Sequence, residues 1–440
     1  MLTASIGKEF LTKICKEKPC VLPSVKYLNF KGVLKALSTE CSEIYVEDLR
    51  NPYIVNVDGI KIPIVPIGKK KSKKNKELYY YISINELYFN KILHNAEIED
   101  YMKSVINVLR KISKKYSLTT KGKTPVSFIP WNYKKYVISL NEIKVLHLPP
   151  LGLHAENTIS RVKMEPIKSR YFETNVLSLK ADKHKLRLNY KGYEYFLKFK
   201  NPIKKVLGNY KKKYLLLLLS NGEEYILITP SMEIHTNCKT FHVETDFEGG
   251  LLTWFTLFTV NNEKINYDEE VNIQGPLWYD YSTSDHGLGV HIGGRAYTRI
   301  KGSFIEISQS KDTVIKLHKG SWEEGGIDYL SIEKLVRIKY VRFKVRKNVT
   351  LLELMPKHVI PLNIRLRGNV LTLELFNFST KPLLSRIRIP WKIEEAFKVS
   401  VFKGKILDDV SYDYNVILLP MTANEYVRLK VKISPMIILR

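Results

Sequence analysis

Beyond Pro125 the chain is written almost entirely in strand-length apolar runs, each cut off by Gly, Asn or Pro. Runs this short read as β-strands joined by tight turns rather than as the helices of a bundle. Lys185–Tyr190, Tyr193–Phe199 and Tyr214–Leu219 are examples. The last is closed by Ser220-Asn221-Gly222, a hairpin turn leading into Tyr225–Thr229. Leu251–Val260, Phe304–Ser308, Val341–Val345, Val370–Phe376 and Val427–Ile433 follow the same pattern. The pattern predicts a mainly β protein of consecutive antiparallel β-sandwich domains, with almost no helix after residue 126.

The first 125 residues are mixed, and predict a small α/β and helical N-terminal region. Short apolar stretches near Ile44 and from Ile54 to Val65 read as strands. The run Gly68-Lys69-Lys70-Lys71-Ser72-Lys73-Lys74-Asn75-Lys76 lies between apolar stretches and reads as an exposed hairpin-like loop. A helix is predicted over 96–115. Ile98, Met102, Val105, Leu109 and Ile112 recur on one face, with acids in the first turns and lysines in the last. The domain reading is therefore 1–125, a large sandwich over 126–345 and a small one over 346–440.

Composition narrows the function classes. Hydrophobic residues make up 44% and charged residues 26% of 440 residues. That argues against disorder and against a disulfide mini-protein. Lys+Arg 71 against Asp+Glu 44 gives a net charge of +27. Such an excess favours polyanions, so nucleic acid or another acidic surface is the alternative partner to weigh. Four cysteines, Cys15, Cys20, Cys41 and Cys238, have no CxxC spacing and read as reduced thiols of a cytoplasmic protein. The N-terminus has no signal-peptide pattern. The longest apolar run, Tyr214–Leu219, is far short of a membrane span, so no membrane association is expected.

Three segments, in order, carry a resemblance. The first is Val126-Ser127-Phe128-Ile129-Pro130-Trp131-Asn132-Tyr133, continuing to Val137 and followed by Leu148-Pro149-Pro150-Leu151-Gly152-Leu153. The second is Phe172-Glu173-Thr174-Asn175-Val176-Leu177-Ser178-Leu179. The third is Gly275-Pro276-Leu277-Trp278-Tyr279-Asp280-Tyr281-Ser282, then Asp285-His286-Gly287-Leu288-Gly289-Val290-His291. Together they resemble the strands that build the β-half of family 38 glycoside hydrolases, the α-mannosidases, over about residues 126–440. The resemblance implies a carbohydrate-related protein. The family's catalytic half is an N-terminal α/β barrel with a zinc ion and an Asp nucleophile, and 125 residues are too few for it. The chain by itself is therefore expected to lack hydrolase activity. It would act as a separately encoded subunit beside a catalytic barrel, as a homo-oligomer, or as a non-catalytic glycan-binding relative. No cofactor is expected in this chain, with zinc entering only where a catalytic partner supplies the site. The segment Leu87–Asn95 is loosely similar to the family's helical metal segment. That makes His94 the one metal-ligand candidate, with Asn95 standing where an acid is needed.

Within the third segment, Trp278, Tyr279, Asp280, His286 and Arg295 supply the residue types that bind sugars. Aromatic faces stack on C–H patches, while acids and arginine bridge hydroxyls. Other readings are weaker. Asp285, His286 and His291 offer acid–base groups, which alternate strand positions would point to one solvated face. Ser282, His286 and Asp280 contain the atoms of a triad without a nucleophile elbow. Gly287 to Gly294 lacks the Lys-Ser/Thr and the helix of a phosphate loop, and its glycines fit a strand better.

Overall fold

A computed structural model of the chain describes residues 53–57, 60–71 and 77–83, residues 101, 103–105 and 107, and most of 124–437. Within that last range it leaves out 128, 140–141, 154, 156–158, 168–170, 175–176, 256–259, 275–277, 293–295, 310–311, 336–338, 342–347, 380, 400–403 and 424. The protein is built mostly of strands in antiparallel sheets and divides into two compact units. One comprises Met1–Lys134, His147–Thr158 and Val336–Arg440. The other comprises Lys135–Leu146 and Ile159–Leu335.

The second unit is a sandwich. Its eight-stranded sheet runs from Tyr171–Thr174 through Lys185–Tyr190, Tyr193–Phe199, Thr240–Glu244 and Phe304–Gln309 to Glu270–Gln274. Its ten-stranded sheet has the central order Gly249–Phe255, Trp278–Ser282, His286–Ile292, Thr313–Lys319, Glu233–Thr236, Tyr225–Ile228, Tyr214–Leu219. Alternate residues of both sheets, among them Leu188, Leu197, Phe241, Ile307, Leu217, Tyr279, Val290 and Ile315, form one core. The outer face of the ten-stranded sheet is covered as well. Ile143, Val145 and Val162 form a second core there with Tyr214, Leu216 and Leu227. That is why Tyr214–Leu219 is apolar without alternation, as a strand buried on both faces must be.

Further along the same outer face lies a feature that strand patterning missed, two helices at Trp322–Gly325 and Ile327–Leu335. They are the helices described beyond residue 126, where strands predominate as expected. Ile327, Leu330 and Ile332 are buried there together with Asp328, Ser331 and Glu333, so burial runs almost continuously and no amphipathic period shows. The local signals are nonetheless present. Ser321 and Glu324 form a reciprocal capping box, and Gly326 closes the first helix at φ 63°.

In the first unit, Thr124–Ser127 pairs with both Lys339–Val341 and Gly152–Leu153. A four-stranded and a five-stranded sheet occupy residues 353–437. The Lys-rich run is a hairpin, but Lys69–Lys71 pair with Glu77–Tyr79 inside its strands, and 72–76 lie outside the described residues. The described positions between 101 and 107 are helical. Tyr101 and Val105 are buried and residues 103 and 107 exposed; of the expected face only Val105 is described, and Ile98, Met102, Leu109 and Ile112 lie outside the described residues. The Tyr101 hydroxyl donates to the Leu351 carbonyl at 3.0 Å, and its ring meets Trp391 edge-on. Leu251–Val260, expected as one strand, is instead parts of two paired strands, Gly249–Phe255 and Val260–Asn266. His94 and Arg295 lie outside the described residues.

Candidate functional site

The third motif segment supplies two neighbouring strands of the ten-stranded sheet, Trp278–Ser282 and His286–Ile292, with Asp280 opposite Gly289 in register. Period-two alternation splits their side chains. Tyr279, Tyr281, Leu288 and Val290 enter the main core. Trp278, Asp280, Gly287, Gly289 and His291 face outward, where the helix pair covers them. The ring of Trp278 lies 5.1 Å from that of Trp322. Trp278, Tyr279 and Asp280 are all buried, at 2%, 0% and 0% exposure. The structure thus brings them into one block but offers no sugar a free ring face on Trp278 or Tyr279.

Asp280 is held by His318, whose Nε2 lies 2.6 Å from its Oδ1. His318 sits on Thr313–Lys319, the far neighbour of the His286 strand, so its ring must reach across that strand. Glycine makes this feasible. A Cβ on Gly287 would stand 2.4 Å from Ser282 Cβ and 2.9 Å from His318 Cε1. A Cβ on Gly289 would stand 2.1 Å from Ile327 Cδ1. Gly287 leaves room for the imidazole and Gly289 seats the second helix. Gly325, at the end of the first helix, rests on the His318 ring. Burial works against a charge on His318, but the hydrogen bond and charge of Asp280 outweigh it and hold its pKa above the ordinary histidine value. Both ring nitrogens are engaged, since Nδ1 faces the Lys319 carbonyl at 3.3 Å. The triad reading of Ser282, His286 and Asp280 is corrected: Asp280 pairs with His318 on the outward face, while the ring nitrogens of His286 face Asp246 and Thr283. The other carboxylate oxygen of Asp280 and the hydroxyl of Thr253, its register partner, have no hydrogen-bond partner among the described residues.

A second buried polar group lies along the same face. Glu233 accepts from Lys334 at 2.9 Å and faces His235 Nε2 at 2.9 Å. Burial pushes the Glu233 carboxyl up, but Lys334 and His235 outweigh it and hold it well below the usual range. Burial and Lys334 lower His235 to about 4, and burial with Lys334 and His235 lowers His291 to about 3.

His286 and His291 are five residues apart on one strand, which places them on opposite faces. This corrects the single solvated face expected for them. His286 instead stands at the end of the sandwich. Its ring stacks on Tyr193 at 3.5 Å, and its Nε2 lies 3.1 Å from Asp246 Oδ1. Its Nδ1 lies 3.2 Å from the Thr283 hydroxyl. Asp246 and Asp285 are exposed beside it. Asp246 was missed because it sits 40 positions away, and only the fold brings it to the turn. This rim is the solvent-facing part of the motif block. It can present two carboxylates, a hydroxyl and a tyrosine face to a polyhydroxylated ligand. Among the described residues no group of three metal-ligating side chains converges, and no helix is long and apolar enough to cross a membrane.

No family model matches the chain, and no curated protein matches it. Among the solved structures similar to this chain, two illustrate the likeness. One is an α-mannosidase from Enterococcus faecalis V583, at 7% identity and TM-score 0.38, over 74% of this chain and 52% of that one. The other is a glycosyl hydrolase family 38 protein from Enterococcus faecalis, at 9% identity and TM-score 0.39, over 87% of this chain and 57% of that one. The chain spans about half the length of each.

Proposed function

We propose that this chain is a carbohydrate-related protein corresponding to the β-half of a family 38 α-mannosidase. It serves as a separately encoded subunit beside a catalytic barrel or as a non-catalytic glycan binder. The observation that carries this reading is the ordered series of three motif segments. The most specific of them forms two central, adjacent strands, Trp278–Ser282 and His286–Ile292. Within that block the glycan contact belongs to the rim around Tyr193, Asp246 and Asp285, with Arg295 as a further hydroxyl-binding candidate. The buried Trp278, Tyr279 and Asp280 hold the rim in place, because loops carry sites on a rigid scaffold.

The test is a binding titration with mannose oligosaccharides, together with an assay on an aryl α-mannoside. Binding that weakens about tenfold in Tyr193→Ala or Asp246→Ala, the loss of one good contact, supports the reading. No turnover by the chain alone, with or without added zinc, is expected. Hydrolysis abolished by one carboxylate substitution in this chain would instead make it a complete enzyme.

A further inference from the structure

Away from the rim, the second unit carries a dense basic surface. Ile159–Lys163 pairs with Glu142–Leu148 so that Arg161 lies opposite Lys144 and Lys163 opposite Glu142. Against this edge docks the turn Asn209-Tyr210-Lys211-Lys212-Lys213. Asn209 Nδ2 donates to the Lys163 carbonyl at 3.0 Å, and Lys212 Nζ donates to the Arg161 carbonyl at 3.2 Å. The Lys212 amide donates to Asn209 Oδ1 at 2.9 Å, closing the turn, and Lys213 takes φ 56°. Three consecutive lysines are thereby held beside Arg161 and Lys163, whose side chains are 69% and 85% exposed. The nearby acids answer this charge weakly. Glu142 lies 3.6 Å from Arg161 and Glu165 3.9 Å from Lys163, both solvated pairs.

The same turn carries Tyr210, 56% exposed and immediately before the three lysines. Its ring is not loose. It stacks on the buried ring of Phe172 at 5.1 Å and 28°. One ring face is thus fixed from below and the residue remains open to solvent among lysines. A rigid aromatic surface flanked by cations is what an unstacked base with its phosphates requires.

We propose that this patch binds single-stranded nucleic acid, with a base stacked on Tyr210 and phosphates on Arg161, Lys163, Lys211 and Lys213. The site is separate from the glycan rim and does not depend on it. A membrane surface would call for several apolar side chains to insert, and among the described residues of this turn Tyr210 is the one exposed ring.

The experiment is fluorescence anisotropy of the full chain with a labelled ten-residue oligothymidylate across a salt series, with a heparin oligosaccharide as competitor. Four phosphate contacts predict a slope of log K against log salt of about −3. The pair Lys211→Ala and Lys213→Ala makes the slope shallower by roughly 1.4. Tyr210→Ala weakens binding by about 5- to 150-fold with an unchanged slope, and Tyr210→Phe retains it. All these positions are exposed, and a thermal melt confirms that the variants fold. Absence of oligonucleotide binding at low salt overturns the proposal. So does unchanged affinity in Tyr210→Ala, and so does a heparin affinity that exceeds the oligonucleotide's and ignores Tyr210, which would make the patch an acidic-glycan surface.

Discussion

At the scale of single residues, the absence of a side chain at Gly287 decides more than most side chains do. Adding one methyl there sets it against Ser282 and the His318 ring, which then loses its approach to Asp280. Gly287→Ala should cost about 3 kcal/mol, the upper range for overpacking, measured by urea denaturation. An unperturbed midpoint would mean that the histidine has room to move. The histidines also predict opposing pH effects. His318 has a folded pKa above its unfolded value. Its contribution is full below the unfolded value near 6.5 and fades as pH rises through the folded one. His235 and His291 are depressed, so the unfolded chain takes up protons first as pH falls below about 6.5, and stability declines. At pH 5 each should remove about 2 kcal/mol relative to pH 7. Denaturation midpoints at the two pH values should show a net acid loss that shrinks in His235→Gln and His291→Gln and grows in His318→Gln.

At the scale of elements, the strands were legible because burial on one face or two leaves a period. Lys185–Tyr190 and Tyr193–Phe199 were read with the boundaries they have, since Leu186, Leu188, Tyr195 and Leu197 alternate into the core. The helix pair was not legible by period. Its second helix buries polar Asp328, Ser331 and Glu333 alongside Ile327, Leu330 and Ile332, which blurs the apolar stripe, although the capping box could have been found from Ser321 and Glu324. The candidate site was legible in part. The motif block supplies two adjacent strands of the candidate site, but Asp246 and His318 join it only through contacts between distant parts of the chain. The docking of the second helix carries its own prediction. Lys334→Met strands the buried Glu233 carboxylate and should destabilise by about 3 kcal/mol. Combining it with Glu233→Leu should recover much of that loss in a double-mutant cycle, whereas strictly additive losses would show that the two groups are not coupled.

At the scale of the whole molecule, the proposed subunit role implies association. Light scattering at low concentration should report a species heavier than the 51.2 kDa chain, or one that becomes so when a barrel partner is added. A lone monomer under both conditions would favour the glycan-binder form of the proposal over the subunit form. The first unit also has an ordering built into it. Its pieces lie on both sides of the second unit in the chain, and Tyr101 reaches Leu351 across 250 positions. During synthesis the strand Thr124–Ser127 leaves the ribosome long before Lys339–Val341, with which it pairs. The inserted sandwich can close while that edge of the strand still waits, because the sandwich's own strands are already out. Completion of the first unit is therefore the late event. Until then its apolar segments are the part of the nascent chain that most needs shielding by a chaperone.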